Sequence, residues 1–215
     1  MDLITITDPR SPASEAYRTL RTNLSFYSLD HPLRSLVVTS PAKEEGKSTT
    51  IANLAVTLAQ SGRKTILVDC DLRRPSLHTI FGLPQEPGLT NMVLENVDKP
   101  PLQETEVENL WLLAAGKQPP NPADLLGSQK VDQIIAALQE KADILLFDAP
   151  PVIAVADTVI LGAKVDGVLL VIQAGKTRRE HAERAKTTLE TANVRIVGAA
   201  LTNAPKDQAM GSYYS

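Results

Sequence analysis

Thr39-Ser-Pro-Ala-Lys-Glu-Glu-Gly-Lys-Ser-Thr-Thr50 is the stretch that decides the fold of this 215-residue chain. It follows the apolar run Leu36-Val37-Val38-Thr39 and precedes an amphipathic stretch from about Lys47 to Gln60, so it reads as a loop between a buried strand and a helix. Such a loop suits a polyphosphate. Backbone N–H groups converge on phosphate oxygens, the helix N-terminus adds partial positive charge, and a lysine neutralises the terminal phosphates. Gly46, Lys47 and Ser48 fit these roles in order; the Ser48 hydroxyl is placed to ligate Mg²⁺, and Thr49 can add a contact near the α or β phosphate. Gly-Lys-Ser alone also starts many solvated helices, so its surroundings carry the weight.

Outward from the loop, Thr65-Ile66-Leu67-Val68, Leu110-Trp111-Leu112-Leu113, Ile144-Leu145-Leu146-Phe147 and the apolar runs at 167–172 and 196–201 each read as a buried strand. Helices are expected at about 128–141, 156–163 and 177–192. Strands flanked by helices and lacking polar alternation predict an α/β fold: a doubly wound, mainly parallel sheet with helices on both faces. Residues 84–122, rich in Pro, Gly and Asn, are expected to hold short helices and surface loops. Residues 1–10 read as extended. Ser11-Pro12 then supplies an N-cap and a first-turn proline for a helix ending near Asp30, with Tyr17, Leu20, Leu24 and Tyr27 recurring at helical spacing and Glu15, Arg18 and Arg21 on a separate polar row. The chain divides into an N-terminal segment and helix (1–34), a nucleotide-binding core (35–204) and a tyrosine-containing tail (205–215), with one structural domain overall.

Carboxylates support the loop. Ile66-Leu-Val-Asp-Cys-Asp-Leu-Arg-Arg-Pro75 puts Asp69 and Asp71 at the end of one strand, and Ile144-Leu-Leu-Phe-Asp-Ala-Pro-Pro151 puts Asp148 at the end of another. Ligand crevices of parallel sheets lie beyond the C-terminal strand ends, so the three acids should gather near the phosphates. A single acid there can simply cap the next helix, a reading that suits Asp71 best. Mg²⁺ takes few protein oxygens and keeps waters, which predicts direct ligation by Ser48, with Asp71 and Asp148 acting directly or through water, and leaves Asp69 as the general base. Arg73 and Arg74 either stabilise phosphates or pair with a neighbouring carboxylate.

Composition narrows the classes. With 43% apolar but 4% aromatic residues, the core is built from aliphatic side chains. A formal charge of −3 gives no electrostatic footprint for nucleic acid. Cys70 stands alone, so nothing depends on an oxidising compartment, and it reads as a small buried residue without chemistry. His31, His78 and His181 have no metal-ligand spacing, and Trp111 is expected in the core. No signal-peptide pattern opens the sequence and no apolar run reaches the ~18 residues of a membrane span. The expected address is the cytoplasm, with no direct membrane insertion.

These motifs together resemble the bacterial tyrosine kinases of capsule and exopolysaccharide synthesis, P-loop relatives of the MinD and ParA ATPases, over nearly the whole chain. The family's Walker A motif matches 40–49, Walker A′ matches Ile66 to Arg73, and Walker B with its paired proline matches Ile144 to Pro151. The resemblance implies ATP or ADP with Mg²⁺ as cofactors, with Glu45, Gly46, Lys47, Ser48, Thr49 and Arg73 around the nucleotide. It places Asn203 against the adenine, where the plain alternative is an Asn in a turn before Pro205. Glu15, Arg18 and Arg21 match a helix implicated in ring-shaped homo-oligomers, although a charged row is otherwise a solvated face. Also implied are a membrane-spanning polysaccharide co-polymerase-type adaptor, or a fused membrane segment, that brings the kinase to the inner face of the membrane, and a cognate phosphatase. Two departures stand out. Lys43-Glu44 replaces a common Pro-Gly, bringing Glu44 and Glu45 close to an anion unless both point outward. The tail offers only Tyr213 and Tyr214 as phosphate acceptors.

The resemblance implies tyrosine phosphorylation, chiefly between subunits. The alternatives are a MinD- or ParA-like positioning ATPase, for which Ala42 stands where a signature lysine is usual, and a nucleotide-gated assembly scaffold.

Overall fold

The computed structural model describes residues 2–30, 33–95, 97 and 99–204. The chain opens with a single helical turn, α1 (Ile4–Thr7), where an extended segment was expected. Tertiary contact overrides the local preference of Ile-Thr-Ile-Thr: the Thr5 backbone N and hydroxyl both donate to Asn53 Oδ1, at 3.1 and 2.8 Å. Helix α2 (Pro12–Asp30) begins as expected, with the Ser11 hydroxyl accepting the Ser14 N–H at 3.2 Å.

The core then follows as β1 (Ser35–Thr39), α3 (Lys47–Gln60), β2 (Thr65–Asp69), α4 (Leu77–Phe81), α5 (Leu89–Leu94), β3 (Gln103–Glu104), β4 (Leu110–Leu113), α6 (Pro122–Gly127), α7 (Gln129–Gln139), β5 (Ile144–Asp148), α8 (Asp157–Gly162), β6 (Gly167–Gln173), α9 (Arg179–Thr191) and β7 (Ile196–Thr202). The seven strands lie in the order β3-β4-β2-β5-β1-β6-β7, all parallel except the two-residue edge strand β3, which the sequence pattern is too short to show.

Strand side chains alternate between two cores. On one face Leu36, Val38, Leu67 and Leu146 pack with Ile51, Leu54 and Leu58 of α3 and with Leu24 of α2; on the other Val37, Ile66, Leu145 and Phe147 pack with α7 and α9. Helix α3 is buried along nearly its whole length, from Thr50 to Ala59. Truncating one of its leucines to alanine would cost about 2–5 kcal/mol, so the loop ahead of it rests on a rigid support. Register completes the placement: Asp69 and Asp148 are partners at the ends of β2 and β5.

Candidate active site

The loop between β1 and α3 turns on two left-handed residues. Gly46, at φ 86°, precedes the first turn of α3, a conformation glycine adopts freely. Glu44, at φ 59°, occupies the same region with a side chain, at a cost of about 1–2 kcal/mol. The missing glycine is therefore met by strain. The two glutamates diverge. Glu44 is exposed, and its carbonyl accepts Lys176 Nζ at 2.8 Å. Glu45 is 2% exposed and turned inward, contrary to the outward alternative: Oε2 accepts the Ala42 N–H at 2.8 Å and Oε1 the Thr177 hydroxyl at 2.6 Å. On the same flank the Thr202 hydroxyl donates to the Glu45 carbonyl at 3.0 Å, tying the end of β7 to the loop.

On the opposite flank stand the acids. Lys47 Nζ lies 2.9 Å from Asp71 Oδ2 and 3.2 Å from Asp148 Oδ1, and donates to the Ser48 hydroxyl at 3.1 Å. Burial works to lower the lysine's pKa, but the Asp148 and Asp71 charges more than reverse this and hold it above its ordinary value. Asp148 is fully buried, which raises its pKa despite Lys47, and its Oδ2 has no hydrogen-bond partner among the described residues. Asp69 is also fully buried; burial first, then the Asp148 charge, push it up to about 8.

The roles within the Asp69–Asp71 pair fall differently from expectation. Asp69 Oδ1 accepts the Asp71 N–H at 3.2 Å, and Oδ2 accepts those of Ser76 and Leu77 at 3.0 Å each. Asp69, not Asp71, thus takes most of the capping task at the start of α4, and it does not line the cavity. Asp71 does line it, and Oδ1 accepts the Arg74 N–H at 3.1 Å.

The cavity, about 550 Å³, is bounded by Gly46, Lys47, Ser48 and Thr49, by Asp71, Arg73 and Arg74, and by Pro150, Pro151, Ala154 and Val155. Arg73 takes the carboxylate-pairing alternative. Its Nε and a terminal nitrogen reach the two oxygens of fully buried Asp157 at 2.8 and 3.1 Å. Arg74 is exposed and makes no ion pair among the described residues. Asn203 follows β7 in the left-handed region at φ 52°, exposed beside the loop. On α2, Arg18 pairs with Glu15 at 2.9 Å and donates to Pro9 O at 2.6 Å, while Arg21 donates to Thr57 O at 2.7 Å. Tyr213 and Tyr214 lie outside the described residues.

Reading the sequence missed Asp157, Thr177 and Thr202. Only Asp157 left a trace, as an acid within the largely apolar segment around α8.

A seven-stranded, mainly parallel sheet whose first strand turns through Gly-Lys-Ser onto a buried helix defines a P-loop NTPase. The ParA family profile, described as NUBPL iron-transfer P-loop NTPase, matches residues 34–203. The chain is 44% identical over 199 residues to tyrosine-protein kinase YwqD of Bacillus subtilis, covering 92% of this chain and 84% of that one. It is 38% identical over 207 residues to the putative tyrosine-protein kinase CapB of Staphylococcus aureus, covering 96% and 91%. The crystal structure of the chimerical protein CapA2B2 superposes with a TM-score of 0.91 at 35% identity, covering 95% of this chain and 90% of that one. The chain belongs to the bacterial tyrosine-protein kinase family within the ParA-like P-loop NTPases.

Proposed function

We propose that this chain transfers the γ-phosphoryl group of ATP to tyrosine, with Tyr213 and Tyr214 of its own tail among the acceptors, chiefly between subunits, and that it thereby regulates capsule or exopolysaccharide synthesis or export. One observation carries the reading: Lys47 is held at the cavity between Asp71 and Asp148, immediately beside Gly46, Ser48 and Thr49. A lysine placed there can move from the carboxylates to an incoming polyphosphate, releasing both acids for chemistry.

Glu45, Gly46, Lys47, Ser48 and Thr49 would cradle the phosphates through backbone N–H groups and the lysine, with Asn203 toward the adenine and Arg73, anchored by Asp157, near the terminal phosphate. Mg²⁺ fits the site. Asp148 Oδ2 is buried without a hydrogen-bond partner among the described residues, and Ser48 lines the cavity. Among the described residues no three His, Cys, Asp or Glu side chains form a metal cage, and Mg²⁺ asks for none because it binds through few protein oxygens. Ser48 and Asp148 would hold it, and bound there it neutralises charge developing on the phosphates. Asp69, the expected base, has its oxygens occupied by three N–H groups. We therefore assign the phenolic proton to Asp71, whose Oδ2 is freed when Lys47 turns away; this also leaves Asp71 no direct place on the metal.

Glu15, Arg18 and Arg21 would serve a ring-shaped homo-oligomer from a row already ordered within the chain. A membrane-spanning co-polymerase-type adaptor would hold the assembly at the inner membrane face, and a cognate phosphatase would reset it. Among the described residues no helix is long and apolar enough to cross a membrane.

The test is incubation with Mg²⁺ and γ-labelled ATP, followed by mapping of the label by mass spectrometry. Label on Tyr213 or Tyr214, absent from Lys47→Met, is expected. Free phosphate without phosphotyrosine would favour a positioning ATPase, and persistent tail labelling in Lys47→Met would refute the site.

A further inference from the structure

One buried amide joins the N-terminal turn to the nucleotide loop. Asn53, on the second turn of α3, is 1% exposed, as is Thr5 on α1. Asn53 Oδ1 accepts both the backbone N–H and the hydroxyl of Thr5, and Nδ2 donates to Thr49 O at 2.9 Å. Its neighbours fix which way the amide faces, because the Thr5 N–H can only donate and the Thr49 carbonyl can only accept. At this depth no bulk water stands ready to replace a lost bond.

The peptide unit that Asn53 holds belongs to the frame of the loop. Its carbonyl is that of Thr49 and its N–H that of Thr50, which donates to Gly46 O at 2.8 Å. A single rigid plane thus connects Asn53 to the left-handed residue on which the loop turns into α3. Lys47, Ser48 and Thr49 lie inside the turn closed in this way. The N–H groups of a helix's first turn are the ones offered to a phosphate, so the tilt of that turn decides how they converge. The other end of the connection is equally fixed. Leu3 packs in the same core cluster as Ile51 and Leu54, and the Ser14 hydroxyl of α2 lies 2.9 Å from Ile4 O and 2.7 Å from Asp8 O, so α1 is pinned between α2 and α3.

Neither Thr5 nor Asn53 lines the cavity. We propose that both are positioning residues for the nucleotide loop: they hold the peptide between Thr49 and Thr50, and through it Gly46, in the arrangement that receives phosphates. The seating of residues 3–8 and the binding of nucleotide then stabilise each other, since such coupling acts in both directions. This rests on reading the loop as the nucleotide site, and not on tyrosine as the acceptor.

The full chain carrying Thr5→Val, Thr5→Ser or Asn53→Asp tests the proposal, with a fluorescent ADP analogue and Mg²⁺ as the probe at a temperature where each variant is folded. Thr5→Val keeps the side-chain size and the backbone N–H but loses one donor, and should weaken ADP binding about fivefold. Thr5→Ser returns the hydroxyl and should bring the Kd back to within about twofold of the unmodified chain. Asn53→Asp still accepts from Thr5 but sets an oxygen against Thr49 O, so its loss should exceed that of Thr5→Val. Conversely, saturating Mg-ADP should slow hydrogen exchange of the Thr5 N–H severalfold in the unmodified chain, under conditions where exchange proceeds by local opening. A merely structural role would lower the melting temperature and leave the Kd unchanged. That result overturns the proposal, as does a loss in Thr5→Val that Thr5→Ser fails to recover, or a Thr5 N–H whose exchange ignores ADP. Should Asn53→Asp fail to fold, the two Thr5 variants and the exchange measurement decide. Failure of the underlying reading looks different: the unmodified chain would bind no Mg-ADP.

Discussion

Replacing Lys47 with methionine should destabilise as well as silence this protein, by an amount the ion pairs set. Lys47 Nζ is 2.9 Å from Asp71 and 3.2 Å from Asp148, and the side chains are only 12%, 6% and 0% exposed. At an effective dielectric of about 20 each contact is worth roughly 5 kcal/mol of gross attraction, most of it offset by desolvation. Removing the cation leaves two neighbouring acids, one fully buried, and breaking buried pairs in this way costs about 3–5 kcal/mol. Proton uptake limits the loss: without Lys47 the already raised pKa of Asp148 climbs further, so the folded state holds a proton that the unfolded state has released. The variant's stability must then fall as pH rises above the ordinary carboxylate range. Asp148→Asn in the same chain should recover at least half the loss, because the second change removes the charge the first one stranded. Urea unfolding of nucleotide-free single and double variants at pH 7.5 measures both quantities. A Lys47→Met cost below 1 kcal/mol, or strictly additive costs in the double variant, would show that the lysine is not the counter-ion described here.

Asp69, raised from 3.8 to about 8 by burial and Asp148, makes a contribution to stability that is complete near pH 4 and lost as pH climbs through about 8; Asp69→Asn should flatten the dependence of the melting temperature between pH 5.5 and 8.5. Glu45 accepts from two donors, the Ala42 N–H and the Thr177 hydroxyl, so Glu45→Gln puts in place of one acceptor an N–H₂ that Thr177 can meet only by reversing its hydroxyl, and should cost about 1–3 kcal/mol, with ADP affinity falling in the same titration. In the Arg73–Asp157 pair the acid is fully buried and the arginine 41% exposed. Arg73→Ala therefore strands a charge at about 3–5 kcal/mol, whereas Asp157→Ala leaves a guanidinium that water can solvate at about 1–2 kcal/mol; chemical denaturation giving the reverse order would refute the pairing.

The central strands and the loop were legible because each is announced locally: β1, β2, β5 and β6 are continuous apolar runs, and Gly46-Lys47-Ser48 sits where a strand ends and a helix begins. What stayed hidden depends on residues far apart in the chain. Thr5 needs Asn53 to become helical, Glu45 needs Thr177 to turn inward, and Arg73 needs Asp157, 84 positions away, to leave the phosphates for a carboxylate. Asp69 and Asp71 differ for another reason. Two acids separated by one residue look equivalent in sequence, but the backbone N–H groups of 76 and 77 curl back to the first and leave the second facing the cavity.

On the proposed kinase reading, the positions of the strand ends bear on whether the tail is phosphorylated within a subunit or between subunits. Tyr213 lies nine positions beyond Ala204, a reach of up to ~30 Å when extended. The Lys47–Asp148 pair lies at the end of β5, three strands from β7, or roughly 15 Å at the usual spacing. Length alone thus permits a subunit to reach its own site. The proposed reading takes the other route, in which a neighbour's tail supplies the tyrosine. A chain truncated after Ala204 should therefore phosphorylate the tail of an Asp71→Asn chain, which keeps its tyrosines and lacks the base, at a rate that rises with total protein concentration. Phosphotyrosine that forms only in the unmodified chain, at a rate unchanged by tenfold dilution, would show that the tail bends back across its own nucleotide.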